Sequence, residues 1–295
     1  MKFTGTGVAV ITPFNNDKSI NFSALQKIIE NLITNGINYL VVLGTTSEAA
    51  TMSYDEKNEV VNFIKKINNN RLPIVLGMGG NNTNELIETI KTTNFSGIDA
   101  ILSVAPYYNK PNQRGIYQHY KKISENSPVP IILYNVPGRT SSRISADTCL
   151  QLANNFNNIV AIKEASADFN EIMKIIKNKP PDFQVISGDD ALTLPLISIG
   201  MEGVISVIAN AFPKKMSEMV NLALSNKIDK ARTIHYQILE IINLIFAEGN
   251  PAGIKNLLHQ IDICDDVLRL PLTEISNELS VKIEKELKII DDNFI

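Results

Sequence analysis

The chain has 295 residues, 44% of them hydrophobic, enough for a substantial core, and its formal charge of −3 at pH 7 offers no basic field to hold a phosphate backbone. Cys149 and Cys264 stand far apart without metal-ligand spacing, so the expectation is a reducing cytoplasm, with neither a disulfide framework nor a zinc site. The opening Met1-Lys2-Phe3-Thr4-Gly5 turns polar by Asn15, too soon for a secretory signal, and no apolar run reaches membrane-span length. Neither nucleic acid nor a membrane is expected as a partner.

In chain order, short β-branched runs alternate with longer segments at helical spacing. A first strand is predicted over 7–12. Ser23 to Gln26 has capping-box spacing, and Leu25, Ile28, Ile29, Leu32 and Ile33 follow on one helical face until Gly36. A second strand over 39–43 leads to another capping box, Ser53-Tyr54-Asp55-Glu56, and a helix carrying Val60, Ile64 and Ile67. Further strands are predicted over 73–77, 100–105, 130–134, 159–163, 183–187 and 203–207. Near-continuous apolar strands joined by crossover helices imply a parallel sheet covered on both faces, and eight such units imply closure. The predicted fold class is therefore α/β, a (β/α)8 TIM barrel over 1–225, with an added C-terminal helical region over 226–295 marked by Ile234, Ile238, Ile241 and Ile245.

In such a barrel, chemistry gathers at the C-terminal ends of the strands. The polar clusters fall there: Gly44-Thr45-Thr46-Ser47-Glu48, Gly77 to Asn81, Pro106-Tyr107-Tyr108-Asn109, Tyr134 to Thr140, Lys163-Glu164 and Ser187-Gly188-Asp189-Asp190. Singly, each has an ordinary use in turns, caps or packing. Lys163 ends the apolar run Ile159-Val160-Ala161-Ile162. A strand-end lysine commonly lays its stem on apolar surface with its head in water. One held in apolar surroundings gives up its proton readily, and a neutral amine attacks carbonyls. Hydroxyls from Thr45, Tyr108 and Tyr134 around such an amine can relay protons without adding a competing charge. The backbone amides of the Gly44–Ser47 loop offer a pocket for a small carboxylate, which favours a 2-oxo acid.

These motifs, together with Gly203-Val204-Ile205-Ser206-Val207 and the Phe246-to-Lys255 segment with Asn250-Pro251, resemble the dihydrodipicolinate synthase family of the pyruvate-dependent class I aldolases and lyases. The resemblance runs over essentially the whole chain. It implies that Lys163 forms a Schiff base with pyruvate, that Tyr134, Thr45 and Tyr108 form a proton relay, and that Tyr108 enters from a neighbouring subunit. It also implies that Thr46 holds the pyruvate carboxylate, that Gly188 and Ile205 make main-chain contacts around the lysine, and that Arg139 meets the carboxylate of aspartate 4-semialdehyde. The implied product is the cyclic precursor of diaminopimelate and lysine, made without metal or other cofactor by a cytoplasmic homo-oligomer, by default a tetramer built as a dimer of dimers.

Two departures from the family pattern stand out. Ser47 occupies a usual glycine position, and Tyr54 and Lys57 stand where lysine-inhibited members carry histidines. Feedback by lysine at a cleft near Ala49, Tyr54, Lys57, Asn81, Glu85 and Tyr107 is therefore expected to be weak or absent, because the Lys57 ammonium repels that of the ligand. Three other readings stay open: a related pyruvate lyase of the N-acetylneuraminate type acting on a sugar acid, a metal-dependent barrel using Glu48, Asp189 and Asp190, and a non-catalytic module. Arg139 and Thr45 favour the synthase over the lyase. His119, His235 and His259 all fall in helical segments away from the strand ends.

Overall fold

The computed structural model describes residues 3–290. Among them, eight parallel strands close a barrel in chain order: β1 (Gly5–Ala9), β2 (Tyr39–Val42), β3 (Ile74–Gly77), β4 (Ala100–Val104), β5 (Ile131–Asn135), β6 (Ile159–Glu164), β7 (Gln184–Ser187) and β8 (Gly203–Ser206). The seam is β1 against β8, from Gly5↔Gly203 to Val8↔Ser206. The helices that follow the strands are α1 (Phe22–Thr34), α2 (Tyr54–Asn68), α3 (Thr83–Thr92), α4 (Gln113–Asn126), a short α5 (Pro137–Thr140), α6 (Ala146–Asn155), α7 (Phe169–Asn178), α8 (Thr193–Ser198) and α9 (Pro213–Leu224). Beyond the barrel lie α10 (Ile228–Ala247), α11 (Ala252–Gln260) and α12 (Asn277–Ile289).

The period-two alternation of each strand sorts its side chains. Tyr39, Val41, Leu102, Ile132, Tyr134, Ala161, Ile186 and Ile205 fill the barrel interior. Leu40, Val42 and Val204 face one helical layer, and Ile101, Leu133, Ile162 and Val185 another. Inside, Tyr39 is edge-on to Phe3 with ring centroids 5.4 Å apart and closes the N-terminal end. Gly7 gives that ring its space, since a Cβ there would lie 2.2 Å from Tyr39 Cε2. The apolar cluster outside β1, β2 and β8 continues without a break into Ile238, Ile241 and Ile245 of α10, Leu257 of α11 and Ile283 of α12. Each such fully buried side chain contributes about 1.5–3 kcal/mol, so the C-terminal helices are packed onto the barrel rather than tethered to it.

Two local expectations are corrected. The cap of α1 is Asn21, whose side chain accepts from Ala24 N, and Ser23 lies inside the helix. The Asn21 amide is itself held by Pro13 O at 2.9 Å, which fixes where the helix begins. At β1, ladder pairing begins at Gly5 and ends by Ala9 because the Asn210 side chain takes over, accepting from Ile11 N and donating to Ala9 O. The second capping box forms as read, with Ser53 and Glu56 bonded reciprocally.

Candidate active site

The strand register brings two of the predicted residues together. Tyr134 pairs with Lys163 across β5 and β6, and Lys163 pairs with Ile186 on β7. Lys163 lies two residues beyond the inward-facing Ala161, so its side chain enters the barrel mouth, where it is 5% exposed. Its Nζ sits 4.5 Å from the centroid of the Tyr134 ring. Gly188, just past β7, lets the lysine stem pass: a Cβ there would stand 2.7 Å from Ala165 Cβ and 3.0 Å from Lys163 Cε.

Behind the pair, on the outer face of the same two strands, Asn135 Nδ2 donates to both carboxylate oxygens of Glu164 at 3.1 and 2.9 Å. Asn135 Oδ1 accepts from Ile144 N, and Glu164 Oε1 from Ser166 N. Burial raises the Glu164 carboxyl above its ordinary value, opposed by these hydrogen bonds. Burial likewise raises the Cys149 thiol, with the Glu164 charge adding to it. The strand pattern alone does not single out Asn135; its place one residue beyond Tyr134 is the available signal.

After β2 the chain makes a 3₁₀ turn over Thr45–Ser47 and then places Glu48 in the left-handed region at φ 56°. Thr45 is exposed on the rim while Thr46 is buried. Ser47 needs no glycine here: its φ is not positive, and its hydroxyl donates to Gly44 O at 2.7 Å, closing the turn. Thr46 Oγ1 accepts from Asn250 Nδ2 at 2.9 Å. Arg139, exposed on α5, donates to Asn250 O at 3.4 Å. Asn250 therefore touches both residues expected to meet carboxylates. Ile205 lies inside the barrel, 1% exposed.

Tyr108 behaves differently. It is 87% exposed, with φ 72°. Asn109 N bonds back to Tyr107 O around it, and Asn81 anchors the loop by donating to Tyr107 O and accepting from Asn109 Nδ2. A bulky residue held at positive φ and aimed outward is a strained arrangement, of the kind found at functional positions. Within one chain it does not join Lys163. Of the expected effector cleft, Asn81 and Tyr107 are joined by this bond, Glu85 lies on α3, and Ala49, Tyr54 and Lys57 lie on the β2–α2 side.

Glu48 and Asp190 serve elsewhere than in a cation site. Glu48 pairs with Lys255 of α11 at 2.5 Å, both side chains fully buried, and Asp190 Oδ2 accepts from Val207 N and Ile208 N at 2.9 Å. Among the described residues, no group of three or more His, Cys, Asp or Glu side chains could hold a metal ion, and no helix is long and apolar enough to cross a membrane. His119 is on α4, His235 on α10 and His259 on α11.

A sequence model of the Dihydrodipicolinate synthetase family matches residues 2–290. The chain is 51% identical over 282 residues to a 4-hydroxy-tetrahydrodipicolinate synthase of Flavobacterium psychrophilum, covering 96% of each chain. It is 52% identical over 283 residues to the synthase of that name from Azobacteroides pseudotrichonymphae, again covering 96% of each. The crystal structure of the chloride-inhibited dihydrodipicolinate synthase from Acinetobacter baumannii complexed with pyruvate is similar at 40% identity and a TM-score of 0.95, covering 100% of both chains.

Proposed function

Since the chain belongs to the dihydrodipicolinate synthetase family, we propose that it condenses pyruvate with L-aspartate 4-semialdehyde through a Schiff base on Lys163, giving 4-hydroxy-tetrahydrodipicolinate for diaminopimelate and lysine biosynthesis. The observation that carries this reading is a lysine 5% exposed inside a barrel mouth, its amine 4.5 Å from the centroid of a tyrosine ring on the adjacent strand. The Lys163 amine attacks the keto carbon of pyruvate, and loss of water from the carbinolamine leaves an imine. Removal of a methyl proton gives an enamine, whose carbon attacks the aldehyde of the second substrate. That substrate's own amino group then displaces the lysine from the imine carbon, which closes the ring and frees the enzyme. One water leaves overall.

Each stage moves a proton; we assign that transfer to Tyr134, whose ring lies beside the amine, with Thr45 of the β2 turn and Tyr108 from a second copy completing the relay. Thr46 and the amides of its turn hold the pyruvate carboxylate; Arg139, a planar fork at the mouth, takes the carboxylate of the semialdehyde. Gly188 and Ile205 shape the main chain around the amine. The outward Tyr108 supports an assembly of at least two chains, and a cytoplasmic tetramer is the default for the reading. The chemistry as written needs no metal or further cofactor.

The test is borohydride reduction in the presence of pyruvate, followed by mass analysis. The Lys163 peptide should gain the mass of the reduced adduct, and an unaltered peptide would sink the proposal. Turnover with pyruvate and aspartate semialdehyde should far exceed turnover with pyruvate and N-acetylmannosamine; the reverse order would favour the sugar-acid lyase.

A further inference from the structure

The segment from Phe246 to Lys255 belongs to the motifs of the chain, yet the chemistry above leaves most of it unused. Lys255 lies on α11 between Ile254 and Leu257 and is itself fully buried. It reaches Glu48 Oε1 at 2.5 Å and donates to Val267 O at 2.9 Å, while its Nζ stands 4.1 Å from the centroid of the Phe14 ring. The other oxygen of Glu48 accepts from Arg269 N at 3.0 Å. Arg269 then grips the same loop from outside, donating to Thr51 O and pairing with Glu56. The bonds to Glu48, Thr51 and Glu56 join the C-terminal region to the stretch that directly follows Thr45 and Thr46, while Val267 O and the Phe14 ring fix the Lys255 head in place.

Burying two charges is expensive, and a pair of well-packed apolar side chains would often serve stability as well. What an apolar pair would not supply is a fixed direction for the residue that ends the turn. Glu48 sits at φ 56°, a region that a long side chain enters only when its surroundings hold it there. We propose that the buried Glu48–Lys255 pair is a positioning device: it clamps the end of the Thr45–Ser47 turn, so that the C-terminal helical region sets where Thr45 and Thr46 stand relative to Lys163. The proposal rests on the reading that these two threonines serve the keto acid. Asn250, bonded to Thr46 Oγ1, is the second point of attachment from the same region.

The experiment uses the double variant Glu48→Gln/Lys255→Met, which removes both charges together and so avoids stranding one of them. It should keep the circular dichroism of the parent, show a KM for pyruvate raised about tenfold and a kcat lowered about tenfold, and leave the KM for the semialdehyde unchanged, as loss of alignment at one subsite requires. Amide hydrogen exchange over residues 44–51 should speed up while the barrel strands keep their protection. Adding Thr46→Val to the double variant should raise the pyruvate KM by less than the same change does in the parent, because the turn is already released. Parental KM, kcat and exchange in a folded double variant would overturn the proposal, as would full additivity with Thr46→Val. Should the double variant fail to fold, Glu48→Met/Lys255→Met, which also strands no charge and keeps the volume of both side chains, is read by the same criteria. If the parent traps no pyruvate on Lys163, the catalytic reading fails, and the exchange of residues 44–51 still decides whether the clamp exists.

Discussion

Tyr134 is buried in the mouth with its ring against the amine, so its role separates from that of Lys163 by a single atom. Tyr134→Phe keeps the ring and removes the hydroxyl; kcat should fall by about 10²-fold or more, the usual worth of a positioned proton donor, with little change in melting temperature. A variant within threefold of the parent would take Tyr134 out of the relay. Lysine feedback is decided at the same scale. Lys57 puts a cation on the β2–α2 side of the expected cleft, and like charges in one cleft oppose binding. Sub-millimolar lysine should leave turnover essentially intact, and half-inhibition there would show that the cleft accommodates a second ammonium. Tyr134 and Lys163 are legible because each stands at the end of an apolar strand as a chemically unusual residue. Ser47 shows the limit of pattern comparison: its hydroxyl bonds to Gly44 O, so the departure from glycine strengthens the turn.

At the scale of elements, the site is a matter of register. A one-residue slip of β6 against β5 would turn Lys163 out of the barrel and Glu164 in. The register shift at which Ile131 and Ile132 face Ile159 and Ala161, with Val160 of β6 as the extra residue, sets the alignment that places Tyr134 beside Lys163, and the Asn135–Glu164 bonds hold it from behind. Gly188 completes the arrangement from β7. Gly188→Ala should displace either the Ala165 segment or the lysine stem, lowering turnover by about tenfold or more and stability by about 1–3 kcal/mol, because a methyl forced into a filled space moves its neighbours. Parental kinetics in that variant would mean the stem has room that the geometry denies. The sequence made the strands and their order readable, since buried parallel strands declare themselves by composition. It misplaced the start of α1 because Ser23 and Asn21 both offer a capping oxygen, and the choice rests on a bond from Asn21 N to Pro13 O that helix spacing does not encode.

Across the whole molecule, the least legible features are those that join distant parts of the chain. Glu48 and Lys255 are separated by 207 positions, and each alone resembles a solvated charge; only the closure of the barrel and the return of α11 over its mouth make them partners. His119 is another case. From the sequence it is one polar residue on an amphipathic helix, yet packing of α4 against α3 and the barrel wall leaves it 5% exposed, with Nδ1 2.8 Å from Thr83 Oγ1 and Nε2 buried without a partner. Burial therefore pulls its pKa from the ordinary 6.5 down to about 4. A base whose folded pKa is depressed leaves stability untouched above its unfolded value. It removes stability as pH falls through the interval between the two, because the unfolded chain takes up the proton first. The interval here is pH 6.5 to 4, and the full effect approaches about 3 kcal/mol. Urea unfolding at pH 7 and pH 4 should show His119→Gln losing less stability over that interval than the parent, by an amount of this order, whatever the baseline cost of the substitution. Parallel losses in the two proteins would mean that the ring is already solvated in the folded state and that the acid sensitivity of the barrel arises elsewhere.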